Sequence, residues 1–558
     1  MPIRLILLCF FLAARVLPAS ALERSVAAEN LEARSGATRI DIPKLTLEET
    51  PLTAAALKRL FDPAAPASLA ERLSGFSAAR VRAGEIRGEA TTGERKRRFL
   101  YEDAGLDEVT AGRVGALHVA RLSETLEEPG GTIVASYQNL SAKGLDLPAL
   151  ARLLAAPRAA DVAAAAPIVE AARAEKIALA SKDGGLELRA AQFAASDIRS
   201  RGFSGATLTA LSRPEGPLTG GAQDAALALG LIESIEFGAL ELRDFALAGP
   251  GAAGGKHVVG ARSLAAKGFS GGILREATLE GFGLEGADGA KLAIERLSLD
   301  GLDLAQAFKA SGSSALRFAR ASLTKFSGDA PDPEAGGRLK FSADSAGVDL
   351  ANFREGVPTK AAFRFEGFKI DLAGRGEEAA SGKILRALGY AALEFSGAGA
   401  AEWREATREL EVSQLRLDSK DMGALTLAAK FSGVDAGVFN PNPLVAGALL
   451  LAARLNRLEA TLEGGGLLER LLASEAKSSG TDPARLRAEY ADNLAKVAIA
   501  ELGDDDKARR IADALRRYVA NPKRLRIAFA ASKGFGALDL MKSFPEILQD
   551  LEVEASAE

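Results

Sequence analysis

The amino-acid sequence predicts an α+β fold that is mainly β: a long twisted antiparallel sheet of repeated hairpins with packed helices, including a C-terminal helical hairpin. Segments with alternating apolar residues recur along the chain, separated by turns rich in glycine. Related phrases recur at irregular spacing, such as LSAKGLDL at 140–147 and LSLDGLDL at 297–304, which indicates a reused hairpin rather than a regular solenoid. Strand after strand with one apolar face favours an antiparallel sheet over a parallel α/β core.

Hairpins are predicted where the alternation stops at a turn and then resumes. Within residues 410–418 the apolar residues alternate with a one-residue slip, which predicts a β-bulge, and the pattern resumes at Leu425 after SKDMG. The pair Asp183-Gly184 predicts a tight turn between two further strands. Residues 363–372 repeat the alternation with a slip at Gly367.

Helical segments interrupt the strands. Short helices are predicted at 53–61, 69–73 and 224–232. The alanine-rich segment 148–175 predicts two helices with a break near Pro157.

The clearest helices form a hairpin between residues 465 and 520. Asp482 followed by Pro483 predicts a helix start, and Gly503 predicts its end. Asp504 is the expected cap of the next helix, which Asn521-Pro522 stops before a final strand near 523–530. The first helix carries an apolar stripe, with which the hairpin is expected to pack: Leu486, Tyr490, Leu494 and Val497.

The first 21 residues are expected to be a secretory signal peptide that is cleaved after Ala21. Arg4 supplies the positive region, residues 5–14 supply the apolar run, and Ala19-Ser20-Ala21 supplies the cleavage motif. The apolar run is too short for a membrane span, which needs about 20 residues. The expected location is therefore the periplasm, whereas an uncleaved signal would act as a short tether.

We expect three regions after the signal peptide. Residues 22–176 hold N-terminal strands with a helical insert, 177–463 an antiparallel β-repeat region, and 464–558 the helical hairpin with a final strand. The best later candidate for a membrane span is residues 444–453, LVAGALLLAA, which end at Arg454 and are also too short to cross a bilayer.

Composition excludes several classes of protein. Cys9 is the only cysteine, and cleavage would remove it, which excludes disulfides, Cys-based metal sites and thiol catalysis from the mature chain. Removing Arg4 and Arg15 from the 70 basic residues leaves 68 against 74 acidic residues, a net charge of −6, which argues against nucleic-acid binding. The remaining 537 residues exceed one ordinary globular core unless the architecture is elongated or repetitive.

One basic cluster stands out at Arg95-Lys96-Arg97-Arg98. It fits a contact with anionic lipid headgroups. It fits better a solvated turn before Phe99, since short charge runs mostly lie on solvated surface.

Three formal motif matches are rejected. Residues 281–286 (GFGLEG) fit a dinucleotide fingerprint. The sequence on both sides has the alternating pattern of a strand, so a glycine-rich β-turn is expected instead. Residues 268–272 (GFSGG) fit a hydrolase elbow, but both histidines precede Ser270, whereas the hydrolase base follows its nucleophile. Residues 249–257 (GPGAAGGKH) resemble a phosphate loop out of register, and a flexible loop is expected there instead.

Metal, cofactor and sugar sites are also not expected. With His118 and His257 far apart and no mature cysteine, a zinc site is improbable. The run Asp504-Asp505-Asp506 lacks the spacing of a calcium loop, and helix capping explains it more simply. Trp403 is interpreted as a strand-end aromatic rather than a sugar platform.

The C-terminal third carries phrases that resemble a group of known proteins. They run from LEVSQLRLDSKDMGALTLAAKFSGV through LEATLEGGGLLERLLASEA to DALRRYVANPKRLRIAF. These phrases resemble exported proteobacterial proteins of unknown function, and the hairpins are similar in style to those of YdgA-like and AsmA-like envelope proteins. The resemblance implies a long curved sheet whose apolar face carries lipid and implies no catalytic residues. The chain departs from AsmA-like proteins because it lacks their N-terminal membrane helix, which puts a membrane-bridging role in doubt.

Two functional hypotheses follow. In the first, the protein is a non-enzymatic exported envelope protein that holds or shields a lipid or another apolar ligand, with a lipid or membrane surface as partner. In the second, it is a structural or interaction scaffold with a closed core. An exported hydrolase is a weaker alternative, because the motif search nominates no catalytic group. If helices cover the apolar face, the scaffold is favoured, and an open groove favours the ligand.

Overall fold

The structure is a computed structural model. It describes residues 25–35, 38–60, 67–92, 94–129, 131–155, 157–158, 164–211, 222–251, 255–309, 317–332, 337–372, 380–440, 442–537, 539 and 543–558. The predicted signal peptide and its cleavage site after Ala21 lie outside the described residues.

The described residues form 21 strands that belong to one sheet. In chain order they are β1 (Val26–Ser35), β2 (Thr38–Glu48), β3 (Ala78–Thr92), β4 (Arg95–Thr110), β5 (Arg113–Glu128), β6 (Gly131–Asp146), β7 (Ala166–Ser181), β8 (Glu187–Ser200), β9 (Ile235–Pro250), β10 (Lys256–Ser270), β11 (Ile273–Glu285), β12 (Lys291–Asp303), β13 (Arg320–Pro331), β14 (Arg338–Arg354), β15 (Val357–Asp371), β16 (Ala392–Arg404), β17 (Glu409–Ser419), β18 (Gly423–Ser432), β19 (Arg454–Glu463), β20 (Arg524–Gly536) and β21 (Glu552–Ala557).

Twelve α-helices lie between the strands in the described part of the chain. They are α1 (Ala54–Leu60), α2 (Leu69–Ser74), α3 (Leu147–Ala155), α4 (Gly205–Leu211), α5 (Ala222–Ser234), α6 (Leu304–Lys309), α7 (Ala380–Ala387), α8 (Pro443–Leu450), α9 (Gly466–Ser479), α10 (Pro483–Leu502), α11 (Asp506–Ala520) and α12 (Phe544–Gln549). A 3-10 turn, Ala436–Phe439, precedes α8.

The strands pair as an antiparallel meander. From β1 to β11 and again from β13 to β21, each strand pairs antiparallel with the next strand in the chain. The sheet is not closed, since its first strand pairs with β2 and its last with β20. This confirms the predicted fold class.

The chain divides into two compact units. Unit 1 comprises the described residues up to Ala287 together with Leu299–Arg317, and unit 2 comprises Asp288–Ser298 and Phe318–Glu558. Each unit contains a stretch of the meander and its own apolar clusters.

Unit 1 has its core on one face of β1–β7. Helices α1, α2 and α3 lie on this face and bury leucines such as Leu57, Leu73 and Leu150 against strand residues such as Leu45 and Leu106. Because side chains alternate between the two faces of a strand, the other face of β1–β7 is polar.

Unit 2 has several smaller clusters. The largest group lies where α11 packs on β20 and β21, with Ile511 and Val553 in one cluster and Tyr518 and Leu525 in another. A separate cluster at the end of β16 contains Trp403. The predicted packing of the C-terminal helices on the sheet is confirmed.

Several local predictions are confirmed. The bulge in the hairpin β17–β18 lies between Val412 and Leu415, and the slip at Gly367 is a register shift between β15 and β16. Gly184 adopts a positive φ in the turn between β7 and β8. Asp482 caps α10, whose first residue is Pro483.

Three local predictions are wrong. The second helix predicted within 148–175 is the strand β7, because its alanines lie in a sheet whose neighbours impose the extended form. The cap of α11 is Asp505 rather than Asp504. In α10 only Leu486 of the predicted stripe is buried, and the packing face consists of small residues, namely Ala491, Ala495 and Ala498.

Candidate functional site

The most extensive candidate site is the apolar face of unit 2. Registered partners on neighbouring strands lie on the same face of a sheet, so apolar partners form rows across it. One row crosses eight strands: Leu323, Ala346, Phe365, Gly397, Leu417, Leu425, Leu462 and Leu525. A parallel row on the same face runs through Leu350, Ala361, Ala401, Val412, Ala429, Leu458, Phe529 and Val553.

This face is covered at one end and open at the other. In the first row, Leu525 on β20 is 8% exposed beneath α11, whereas Leu417 on β17 is 43% exposed. Phe363 on β15, in the row between the two, is 41% exposed. We call the apolar face of strands β13–β18 the open face. Exposure of several large side chains in one area is typical of a binding surface.

Glycines under aromatic rings flatten the open face. A Cβ atom on Gly397 would lie 2.6 Å from a ring atom of Phe365, and one on Gly399 would lie 2.8 Å from the ring of Phe363. Each ring therefore lies over a glycine of the neighbouring strand, an arrangement that packs one ring side and leaves the other free. The result is a shallow apolar floor that suits a flexible hydrocarbon ligand.

Unit 1 has a smaller open area of the same kind. Its row runs from Ala174 on β7, which is buried, through Phe193 and Leu242 to Leu264 on β10, which is 40% exposed. In this row the apolar face is thus covered on β7 and exposed on β10, whereas Phe269 and Leu274, paired near the end of the hairpin β10–β11, are buried.

The opposite face of unit 2 is polar and densely ion-paired. Arg416 on β17 donates to Asp418 and, at 2.9 Å, to Glu463, and these carboxylates raise the pKa of Arg416. Glu459 accepts a hydrogen bond from Arg526 at 2.7 Å, which, with a weaker contribution from Arg457, lowers the pKa of Glu459 to about 2. Paired charges keep this face in contact with water, in contrast to the apolar side chains of the open face.

An open depression on the polar face is a weaker candidate. Lysines line it at Lys291, Lys340 and Lys369, and carboxylates alternate with them at Asp329 and Asp371. Because opposite charges alternate there, the depression has no strong preference for an anion.

The basic cluster at 95–98 lies at the start of β4, so the predicted solvated turn is wrong. Its side chains form ion pairs across the sheet: Arg95 with Glu128, Lys96 with Glu89, Arg97 with Glu124 and Arg98 with Glu127. Four neutralised cations offer little attraction to a lipid headgroup.

The rejected motifs lie in strands and turns. Residues 281–285 belong to β11, and Gly281 has a positive φ beside Arg262. The β-turn predicted at 281–286 is therefore wrong: Gly281 forms an irregularity within a strand, and the turn follows at 287–288. Ser270 ends β10 before the turn Gly271-Gly272. The predicted loop at 249–257 includes residues 252–254, which lie outside the described residues.

The remaining residues have local structural roles. Asp505 accepts hydrogen bonds from the backbone N–H groups of Lys507 and Ala508, and Asp504 pairs with Arg509, which confirms capping for this run. Trp403 is buried at the end of β16 and donates Nε1–H to the carbonyl of Val434 at 3.0 Å, which confirms a strand-end aromatic.

Two searches of the described part of the chain complete the survey. It contains no group of three or more His, Cys, Asp or Glu residues placed to hold a metal ion. No helix within it is both long and apolar enough to cross a bilayer.

The fold and the site define a class: an antiparallel meander whose apolar face is covered by helices in one part and open in another. Residues 416–558 match a family model described only as an uncharacterized protein. No curated protein matches the chain in sequence. The comparisons therefore extend to the C-terminal part of unit 2 and add no activity to what the geometry offers.

Proposed function

We propose that this protein is a non-enzymatic exported protein of the cell envelope that holds a lipid, or another ligand with a long hydrocarbon chain, against the open face. The observation that supports this is the exposure of Phe363, Leu417 and Leu425 in continuous apolar rows. Leaving such side chains in water is unfavourable, and covering them with an acyl chain gains about 0.8 kcal/mol for each methylene group buried.

The shape of the open face favours a hydrocarbon chain over a compact ligand. The rings of Phe363 and Phe365 lie over glycines, so the floor is shallow and extends across strands instead of forming a deep cavity. Its apolar rows contain no charged side chain that would fix a polar group. Binding of this kind selects for apolar surface rather than for one exact compound.

The covered part of the face supports the second candidate, a structural scaffold. Over β1–β7 the helices α1–α3 close the apolar face, and the enclosed leucines are fully buried. This region alone fits a scaffold, and the open face is what separates the two proposals.

The test is lipid analysis of the purified protein combined with titration by a lipophilic fluorescent dye. The triple variant Phe363→Gln, Leu417→Gln, Leu425→Gln removes about 1 kcal/mol of burial at each half-exposed position, so dye affinity should fall roughly a hundredfold. The matched control is Arg364→Gln with Lys430→Gln, which changes the polar face of β15 and β18.

The expected result is copurifying lipid and saturable dye binding in the native protein and the control but not in the triple variant. Protein that is free of lipid and binds no dye would contradict the proposal. Equal dye binding by the triple variant and the native protein would mean that the dye binds somewhere other than the open face.

A further inference from the structure

A second apolar feature of unit 2 lies outside the open face. Helix α8 (Pro443–Leu450) ends at Leu450, and the chain continues through a turn at Leu451, Ala452 and Ala453 before β19 starts at Arg454. We call residues 443–453 the apolar tip, because it has no polar side chain. It contains no buried residue within its helix, and Leu444 is 82% and Leu451 66% exposed.

The base of the apolar tip is firmly held. Trp403 packs on Phe439 in the 3-10 turn, and Val434 is fully buried beside them. Asn442 caps α8 by accepting a hydrogen bond from the backbone N–H of Leu444 at 3.0 Å. The tip is therefore a capped helix on a well-packed base, and its exposure does not result from a poorly packed loop.

The direction of its side chains identifies the kind of partner. Successive helical residues are about 100° apart around the axis, so Leu444, Val445 and Leu450 project in three different directions. A protein groove contacts one stripe of a helix and would leave the other directions in water. A helix that is apolar all round instead fits a surrounding apolar medium, such as the acyl region of a bilayer.

Cations flank the base of the tip. The backbone carbonyl of Arg408 accepts a hydrogen bond from Val434, and Arg454 follows the tip directly and pairs with Ser432 across the sheet. Among the described residues neither guanidinium forms an ion pair, in contrast to the cluster at 95–98, and that of Arg454 donates a hydrogen bond to the backbone carbonyl of Gly534 at 3.2 Å. Long cationic side chains at the edge of an apolar segment suit the anionic headgroup layer.

We propose that the apolar tip inserts into one leaflet of an anionic lipid bilayer, with Arg408 and Arg454 at the headgroups. The eight residues of α8 are about 12 Å long, which fits one leaflet of a hydrocarbon core about 30 Å thick. This inference goes beyond the proposed function, since it concerns a different surface and gives the protein a place of contact with a membrane.

The test is flotation of the purified protein with vesicles of phosphatidylcholine and phosphatidylglycerol, and with vesicles of phosphatidylcholine alone. The variant Leu444→Gln, Leu451→Gln should weaken binding to the mixed vesicles by at least about tenfold. Arg408→Gln with Arg454→Gln should remove the preference for anionic vesicles and the dependence on salt. The matched control, Ile384→Gln with Val497→Gln, changes apolar residues on α7 and α10 that are also more than half exposed, and it should bind as the native protein does.

Three outcomes would overturn the proposal: native protein that does not float, a tip variant that binds as tightly as the native protein, or a control that weakens binding equally. Sedimentation without vesicles distinguishes a further case, because loss of self-association in the tip variant would identify a second copy as the occupant. Dye binding at the open face should be unchanged by the tip variant, so failure here is separable from failure of the proposed function.

Discussion

Strands β1–β7 and strands β13–β18 share one pattern of alternating apolar and polar residues and differ in what lies on the apolar side. Over β1–β7, helices α1–α3 bury that side, and Leu45 and Leu57 are fully enclosed. Over β13–β18 the corresponding side chains are half-exposed. The alternation of apolar and polar residues therefore determines which face of a strand is apolar, whereas the neighbouring helices determine whether that face is shielded from solvent.

The covered region and the open face also differ in the types of apolar side chain that they contain. The covered region uses branched aliphatic residues that interlock with helix leucines. The open face uses phenylalanines laid over Gly397 and Gly399, an arrangement that the covered region has at Phe99 over Gly88. On the open face these rings are exposed on their outer side instead of being covered by a helix. This difference is what the proposed function depends on, and it can be tested directly.

The largest effect is expected from truncating a covered leucine. Leu106→Ala on β4 should lower the free energy of unfolding by about 3 kcal/mol, because it removes a buried side chain and leaves a cavity. Leu264→Ala on β10 lies in the open part of the same unit and should cost less than about 1 kcal/mol. Urea unfolding of both variants measures the two costs, and equal costs would mean that β10 is covered in solution.

A smaller effect is expected from filling the space under a ring. Gly397→Ala places a methyl group within 2.6 Å of the Phe365 ring, so the ring must lift, at a cost of about 1–3 kcal/mol. Dye affinity should fall with stability, because the floor of the open face is no longer flat. Gly447→Ala is the control, since nothing lies within 4 Å of a Cβ atom there. An unchanged dye affinity in Gly397→Ala would separate the ligand from this part of the sheet.

The cover of unit 2 depends on how α11 begins. Asp505→Ala removes the acceptor for the N–H groups of Lys507 and Ala508 and should destabilise the unit by about 1 kcal/mol. Asp505→Asn keeps a capping oxygen and should lose much less. Thermal unfolding followed by circular dichroism measures both, and an equal loss in the two variants would point to the charge rather than to the cap.

Much of the fold follows from patterns that the sequence displays. The alternation of Leu415, Leu417, Leu425 and Leu427 depends only on the local geometry of a strand, so the hairpin and its bulge were predictable. The segment 148–175 was not, because its alanines suit a helix and a strand alike and the pairing with β6 and β8 decides between them.

The candidate site was predictable only in part. The sequence indicates one apolar face, but its openness depends on where the helices pack, which is a property of the tertiary structure. In α10 the small residues Ala495 and Ala498 pack against Ala512 and allow α11 to approach closely, whereas Tyr490 and Val497 stay exposed. The spacing of these alanines was the available signal, and the larger apolar residues concealed it.

The smallest effect concerns the polar face, which carries charged side chains over both β1–β7 and β13–β18. Arg526 lowers the pKa of Glu459 to about 2 from an ordinary value of 4.5, so the ionised carboxylate favours the folded state. This contribution is complete above pH 4.5 and is lost as the pH falls from about 4.5 towards 2. Because the pair is partly in water, the contribution should stay below about 1 kcal/mol.

Glu459→Gln should therefore be less stable than the native protein at pH 7. This difference in the free energy of unfolding, the stability gap, should narrow as the pH falls from about 4.5 towards 2. Urea midpoints at several pH values measure the gap. Glu554→Gln, which removes a more exposed partner of the same Arg526, should show a smaller gap at every pH. A difference in stability between Glu459→Gln and the native protein that is constant with pH would mean that Glu459 contributes packing and not charge. The polar face would then be stabilised by packing, as the covered face of β1–β7 is.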